Sequence, residues 1–539
     1  MIDLQHKPRP STLTLVDPYL LEQLVPPTHI LRQIDAYVDF SFVRPLVAAR
    51  YHAELGRPSL DPELLLRLIF LQRYYGLGDA EVVERAECDL SFRYFLHLDC
   101  NGELPDPSSL SRFRGRLGPE LFERVFVGFL RQAQEQGLVE SRRVWIDSAS
   151  IQADMAVPGF RRLLRRLLSQ ALDSLEGVSA EVGWLRSELS TLAADRSYEL
   201  AGPLRRRNLE EWLALTAVVH GVLEESGERR TGAQEALFEL LGEALQRAVN
   251  HGKRNVKKDD LLSDVDPDAR WARKKRGRQV VAGYSQQMAV DAAHGVVTDV
   301  QTTAGNVDDS QMLRPLVEGH TANVGAKPGE VVSDSKYSSG SNHAHLLTEG
   351  IGDHVAVPPP KGSKQGKFSP ADFALEFDES GKPTAAMCPA GQLAQVPRWK
   401  RETHSWVFQF RKGQCEGCPL RERCSKQKRG RQLSVDQHYE VTEQARSRQH
   451  SEEGQAAQVD RLNVERTFAA TNRRGGRRTP YRGLAKNRLF GYLQGMVLNV
   501  VTMARSAAKA ASGYVTDGGR KCEEQNLDRL AMAPGVHCA

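Results

Sequence analysis

The sequence predicts a mixed α/β protein with a helical N-terminal part and with helical and loop-rich insertions. Three observations carry that expectation. The first 135 residues read as helices with clear punctuation. Short apolar strands then alternate with helical periods, at Arg143–Asp147, Val280–Asp291, Val296–Thr302, Glu330–Asp334 and His354–Val357. Long helical or loop-rich stretches separate some of these strands. At 539 residues the chain exceeds the usual size of one domain several times over. Its 40% hydrophobic and 26% charged residues are ordinary for a globular protein and exclude wholesale disorder.

In the N-terminal part, 1–135, Asp61-Pro62 offers a capping carboxylate and a first-turn proline ahead of Leu64, Leu65, Leu68, Ile69 and Leu71, and Gly76 is placed to stop that helix. Helices follow from about Asp79 and Leu90. Pro105-Asp106-Pro107-Ser108-Ser109 then opens one bearing Arg112, Arg114 and Arg116. Short helices with polar turns and an arginine-bearing last member suit a DNA-binding unit of the helix-turn-helix type, with Arg112 and Arg114 as contacts.

The strands divide a core into 140–156 and 278–357, with Ala292-Ala293-His294-Gly295 as a hairpin turn. Between these parts, 157–277 reads as a helical insertion with leucine pairs at 163/164 and 167/168. Pro358 opens a loop-rich, cysteine-bearing stretch to residue 440, with one clear strand at Trp406–Phe410. Helices return over 441–511, first at Val459–Thr471 and then from Gly483 to about Ala507. The tail, 512–539, is glycine-rich and polar and reads as loose. No apolar run approaches the roughly 20 residues that cross a bilayer, and Met1–Gln5 lacks the pattern of a secretion signal, so a cytoplasmic protein is expected.

The net charge of +5 is modest, but Lys and Arg are clustered in Arg270–Arg278, Lys426–Arg431 and Arg473–Arg482. One such cluster is usually a solvated face. Three point toward a nucleic-acid partner.

Asp147 and Asp334 each close a short apolar strand, where a buried acid is costly unless a cation meets it. Taken singly, each would read as a turn cap. Phosphodiester cleavage by two Mg²⁺ ions about 4 Å apart needs carboxylates brought to one point from separate elements. A third acid, Glu465, lies on a helix whose period puts Arg461, Glu465 and Asn472 near one face. An Arg461–Glu465 surface pair is the plainer account of that spacing.

These residues bear a resemblance. The chain resembles bacterial insertion-sequence transposases of the DDE class, in particular the branch whose third acid lies in a Tyr-x2-Arg-x3-Glu-x6-Lys signature. The likeness spans roughly residues 40 to 505. Gly56-Arg57-Pro58-Ser59 and Pro105 to Arg114 look like the family's leader domain. Gly283-Tyr284, Val290-Asp291, His294-Gly295 and Gly305 to Asp309 look like its central hairpin and following helix, and Arg477 to Leu484 like its stretch after the signature. Arg461 and Glu465 match the signature, whereas Gln458 stands at the tyrosine position and Asn472, beside Arg473, at the lysine position.

The resemblance implies an RNase-H-like core and a metal-dependent enzyme that cuts terminal inverted repeats and joins them to target DNA. Asp147, Asp334 and Glu465 would then hold two Mg²⁺ or Mn²⁺ ions. Arg461, Arg473 and Arg474 would meet DNA, and a homodimer or higher oligomer would assemble on it, with the protein nucleoid-associated when bound. Two other readings stay open: a non-catalytic DNA-binding relative, and a nuclease without strand transfer.

Cys388, Cys415, Cys418 and Cys424 form a C-x26-C-x2-C-x5-C pattern that suits a structural Zn²⁺ site, with His404 as an alternative ligand. A Cys-x2-Cys-Pro-Leu-Arg stretch like Cys415–Arg421 occurs in this transposase branch. Cys88, Cys100, Cys522 and Cys538 are scattered, and reduced thiols are ordinary in a cytosolic protein.

Overall fold

The computed structural model describes residues 17–50, 60–99, 102–177, 181–195, 203–250, 260–272, 281–360, 365–379, 381–425, 427 and 429–511. Gly56 to Ser59, Arg273 to Arg278, Lys426, Lys428, Cys100, Cys522, Cys538 and the tail from 512 lie outside the described residues.

The chain opens with α1 (Asp17–Leu24), α2 (Ile30–Tyr37), α3 (Val43–Val47), α4 (Pro62–Tyr75), α5 (Asp79–Cys88), α6 (Leu90–Phe95) and α7 (Ser108–Glu135). Local chemistry sets α4: the Asp61 side chain accepts from the Glu63 N–H, Pro62 occupies the first turn, and Gly76 closes the helix in the left-handed region (φ 71°). Its Leu65, Leu66, Leu68, Ile69, Phe70 and Leu71 are buried, and Phe40 stacks edge-on to Phe70, Phe95 and Phe129 with ring centroids 5.7, 5.5 and 5.0 Å away. Helix α7 bends at Gly118 (φ 67°, ψ 177°), next to Pro119, which lacks the N–H a straight helix would use.

The central sheet follows. It contains β1 (Arg143–Gln152), β2 (Arg270–Ala272), β3 (Val281–Asp291), β4 (Val297–Ala304), β5 (Glu330–Ser333) and β6 (Gly352–Val355), in the order β2-β3-β1-β5-β6, with β4 also paired to β3. β1 runs antiparallel to β3 and parallel to β5, and β5 is parallel to β6. This is the RNase-H-like mixed sheet that was expected. Helices α12 (Leu313–Val324) and α13 (Gly340–Thr348) cover one face, with Val144, Ile146 and Val331 buried there.

The other face carries Trp145, Met288, Val290 and Val332 and shares one continuous buried cluster with the N-terminal helices and with the last helix, α19 (Leu484–Ala511). Two glycines allow α19 to lie close against the sheet. A Cβ on Gly491 would stand 2.6 Å from Thr302 Oγ1, and one on Gly495 2.9 Å from the Phe126 ring and 3.0 Å from Val300. Asn499, the polar break in the apolar run of α19, pairs both ways with the Val297 backbone on β4, accepting from its N–H at 2.7 Å and donating to its carbonyl at 2.8 Å.

Between β1 and β2 come α8 (Phe160–Ser174), α9 (Val182–Ala194), α10 (Pro203–Glu225) and α11 (Gly232–Asn250), which have a core of their own. Leu163, Leu164, Leu167 and Leu168 are all fully buried in it, with Trp212, Val219 and Leu241 opposite.

Three expectations need correction. The strand reading at Arg143–Asp147 was too short: β1 continues to Gln152 because β3 pairs with it along its whole length, whereas β5 stops at Ile146. The loop-rich segment contains more than one strand. It holds β7 (Ala374–Phe377), β8 (Pro383–Met387) and β9 (Leu393–Gln395) in one antiparallel sheet, and β10 (Arg398–Lys400), β11 (Ser405–Gln409) and β12 (Gln432–Asp436) in another, with short helices α14 (Lys412–Cys415) and α15 (Arg421–Cys424) connecting β11 to β12. Strands of three to five residues carry too little alternation to be read locally. Finally, Arg114 does not face solvent: it is buried, with its guanidinium 2.5 Å from Asp79 and over the Tyr481 ring at 5.7 Å. Two positions along a helix turn a side chain well away from its neighbour, so Arg112 is exposed while Arg114 points inward.

After β12 come α16 (Tyr439–Gln449), α17 (Glu452–Asp460) and α18 (Val464–Arg473). A short 3-10 turn, Arg461–Asn463, joins the last two with right-handed helical backbone at Asp460, Arg461, Asn463 and Val464, so Glu452 to Arg473 forms one nearly continuous rod.

Candidate active site

Parallel pairing of β1 and β5 ends at Ile146 and Ser333. The next residue on each strand is an acid, so Asp147 and Asp334 stand at the same level on neighbouring strands. Beyond this point β1 continues against β3, Asp147 being registered with Met288, and only at its last residue, Gln152, does it also bridge to Arg478. The site opens where the parallel partner ends.

Backbone and side-chain donors orient both acids. Asp147 Oδ1 accepts from the Ser148 N–H at 2.7 Å, and Asp334 Oδ1 from the Lys336 N–H at 3.0 Å. A third acid, Asp309, just ahead of α12, joins them: its Oδ2 accepts from Ser148 Oγ at 3.0 Å and from Lys336 Nζ at 3.2 Å, and Oδ1 from Gln287 Nε2 at 3.4 Å. Tyr337 is fully buried beside them, and burial together with the charges of Asp309, Asp147 and Asp334 keeps its hydroxyl protonated. Sequence reading missed Asp309, Lys336 and Tyr337, although Asp309 and the Asp334-Ser335-Lys336-Tyr337 run were in view.

Asp147 is mostly buried, and burial pushes its carboxyl up to about 6. The Ser148 N–H pulls it back, the neighbouring Asp334 raises it, and Arg461 and Lys336 oppose the rise. Lys336 loses hydration too, but the charges of Asp309, Asp334 and Asp147 hold its ammonium above the ordinary value.

The rod α17–α18 lies across the face that bears Trp145 and Asp147. Trp145 Nε1 donates to Asp460 Oδ2 at 3.2 Å, and Arg461 reaches Asp147 Oδ2 at 3.4 Å. Gln458, at the position where the signature has tyrosine, donates through Nε2 to the carbonyls of Ser333 (3.2 Å) and His354 (2.6 Å) and accepts from Arg461 Nε (3.3 Å). The rod is thereby fastened to the ends of β5 and β6. Arg461 takes Asp147, not Glu465, as its partner.

The structure therefore brings Asp147, Asp334 and Arg461 together. Glu465 lies four residues beyond Arg461 on the same rod and is exposed to solvent. Among the described residues, the oxygens of Asp147, Asp334 and Glu465 are not drawn within 4.8 Å of one another. Arg473 is exposed at the end of α18, and Arg474 lies over the Tyr74 ring of α4 at 4.8 Å.

Residues 19–116 match the family model described as "Transposase domain (DUF772)", and residues 387–504 match the one described as "Transposase DDE domain". These two matches support an insertion-sequence DDE transposase. No curated protein and no solved structure matches it. The second match spans Arg461 and Glu465, and Asp147 and Asp334 lie outside both. A DDE transposase is a metal-dependent enzyme of DNA cleavage and strand transfer. Among the described residues of this transposase, no helix is long and apolar enough to cross a membrane.

The match in the C-terminal half also spans the cysteines. Cys388, Cys415, Cys418 and Cys424 are reduced, half-buried and line one small pocket with Phe373, Phe410 and Arg431. The Gln392 N–H points at Cys388 Sγ (3.4 Å), and Gly417 supplies a left-handed turn (φ 69°) between Cys415 and Cys418. Burial pushes the Cys424 thiol up; Arg431 opposes this, and the other three sulfurs add to it. His404, the alternative ligand, is not in the pocket: it is exposed in the turn before β11, with its ring 6.1 Å from Trp399. Arg431 of the basic loop turns inward to the carbonyls of Cys424 and Phe368, both at 3.1 Å.

Proposed function

We propose that this transposase binds the terminal inverted repeats of its element, cleaves at their ends and joins them to target DNA, with Asp147, Asp334 and Glu465 as ligands of two Mg²⁺ or Mn²⁺ ions. The observation that carries this reading is the register that sets Asp147 beside Asp334, with Arg461 of the Glu465-bearing rod touching Asp147.

The donor set fits a hard divalent cation. It is all carboxylate, it comes from separate elements, and one member sits where burial and a like charge disfavour ionisation, so a cation relieves the site. Bound there, the ions would supply Lewis-acid charge at the phosphate and lower the pKa of the attacking hydroxyl. The chain's own part is orientation. The N–H groups of Ser148 and Lys336 aim the two aspartates, Arg461 favours the ionised form of Asp147, and Gln458 fixes the rod that delivers Glu465.

Arg112, Arg461, Arg473 and Arg474 are proposed phosphate contacts, with Arg473 taking the place of the signature lysine, although a guanidinium meets phosphate through a fork and not a point charge. Arg114 is withdrawn from that set by its burial against Asp79. The four cysteines are proposed to hold a structural Zn²⁺, which the small apolar core around Phe408, Phe410, Leu433 and Val435 would need as a staple. Residues 1–135, 157–277 and 358–440 are read as a DNA-binding domain and two insertions around the core of 140–156, 278–357 and 441–511. Two or more copies would pair the element ends, and work on chromosomal DNA would place the enzyme in the cytoplasm, on the nucleoid.

The test uses a labelled element end, a target plasmid and Mg²⁺. Joined products are expected from the native chain, and none from Asp147→Asn, Asp334→Asn or Glu465→Gln, each of which keeps its gel shift. Nicking without joining would make it a nuclease, and bound but intact DNA a binding module.

A further inference from the structure

A second group of potential ligands lies on the same rod and the same strand as the catalytic acids. Glu330, at the start of β5, shares a face with Asp334, four residues on and about 13 Å away by strand rise. On β6, His354 is registered with Val332, two residues along from Glu330, and its side chain is only 7% exposed. Glu453, in the first turn of α17, closes the third side. His354 Nε2 stands 3.9 Å from Glu330 Oε2 and 4.0 Å from Glu453 Oε1, and one ligand atom from each residue lies within 4.8 Å of the others. Nδ1 of the same ring is buried with no hydrogen-bond partner.

Hydrogen bonding does not account for this arrangement. An N–H···O contact settles near roughly 2.9 Å, well inside these separations, so the Nε2 that faces the two carboxylates, on a side chain only 7% exposed, hydrogen-bonds to neither. Two donors on one Zn²⁺, each about 2.0–2.1 Å from it, can stand up to about 4 Å apart. The charges agree. Among the described residues, Glu330 and the nearby Asp460 share the guanidinium of Arg143, which lies 2.8 Å from Glu330 and 3.3 Å from Asp460, and Glu453 adds a further negative charge. A divalent cation makes up the deficit.

We propose that Glu330, His354 and Glu453 bind one divalent transition-metal ion of the zinc class, with water completing the shell. The ion clasps the first turn of α17 to the edge of β5 and β6. From that anchor the rod carries Gln458, Arg461 and Glu465 in turn, so the clasp limits how far Glu465 can swing. What the clasp positions rests on the catalytic reading, whereas the site itself does not.

Zn²⁺ titration by calorimetry of the full-length protein, in excess Mg²⁺ to fill all-carboxylate sites, tests the proposal. Glu453→Ala alters an exposed side chain and leaves the sheet intact, and His354→Phe removes the nitrogen ligand. Each should bind one zinc fewer per chain than the parent, with an unchanged far-ultraviolet circular dichroism spectrum, and Cys415→Ser/Cys418→Ser should lose a different one. Asp147→Asn should keep the clasp zinc whether or not it nicks DNA, which separates this proposal from the catalytic assignment. Equal zinc stoichiometry and affinity in the parent, Glu453→Ala and His354→Phe would overturn the proposal.

Discussion

Asp147 and Asp334 stand side by side because Ile146 and Ser333, the residues before them, are register partners on adjacent parallel strands. At Asp147 the nearby Arg461 and Lys336 do not offset the cost of burial, and the consequences can be measured.

Asp147→Asn should stabilise the metal-free protein in a pH-dependent way. The folded carboxyl titrates at about 6, above its ordinary 3.8, so the folded state holds a proton that the unfolded chain releases between these values. Its contribution is favourable below the lower value and is lost as pH rises through 6, after which the buried charge costs up to about 3 kcal/mol. Differential scanning calorimetry with a chelator should therefore show a raised Tm for Asp147→Asn at pH 8 and little change at pH 4. An equal shift at both would refute this account.

Arg461→Met should push the Asp147 carboxyl higher, since Arg461 opposes its rise. The acid limb of the nicking profile should move to higher pH, and the Mg²⁺ requirement should increase about 10- to 100-fold, as for other residues that orient metal ligands. An unmoved acid limb would show that the ion pair has no such role.

Gln458→Ala removes the donor shared by the carbonyls of Ser333 and His354. A loss of about 1–3 kcal/mol in urea unfolding is expected for the unpaired groups. A loss within a few tenths would mean that water replaces the amide without cost.

Cys418→Ser should lower zinc content by about one ion per chain, measured by atomic absorption, and should speed proteolysis between residues 388 and 431. Cys88→Ser, at an exposed position outside the pocket, should change neither. Retention of zinc in Cys418→Ser would remove that thiol from the ligand set.

The sequence by itself determined the elements and their chemistry: Asp61-Pro62 starting α4 and Gly76 ending it, the leucine pairs burying α8, the apolar strands leading into Asp147 and Asp334, and the grouping of four cysteines. These are local signals of period, cap and turn, read within a few residues. The tertiary structure alone decided which groups meet. β1 runs on past Asp147 because β3 supports it, Arg461 turns to Asp147 instead of Glu465, and Arg114 is spent on Asp79. Asp309 and Lys336 join the acids only when β5 and the start of α12 are brought together. The physical reason is range. Periodicity is a property of neighbours along the chain, whereas these strand registers and charge pairings join residues from 27 to 314 positions apart, and no local pattern records their partners.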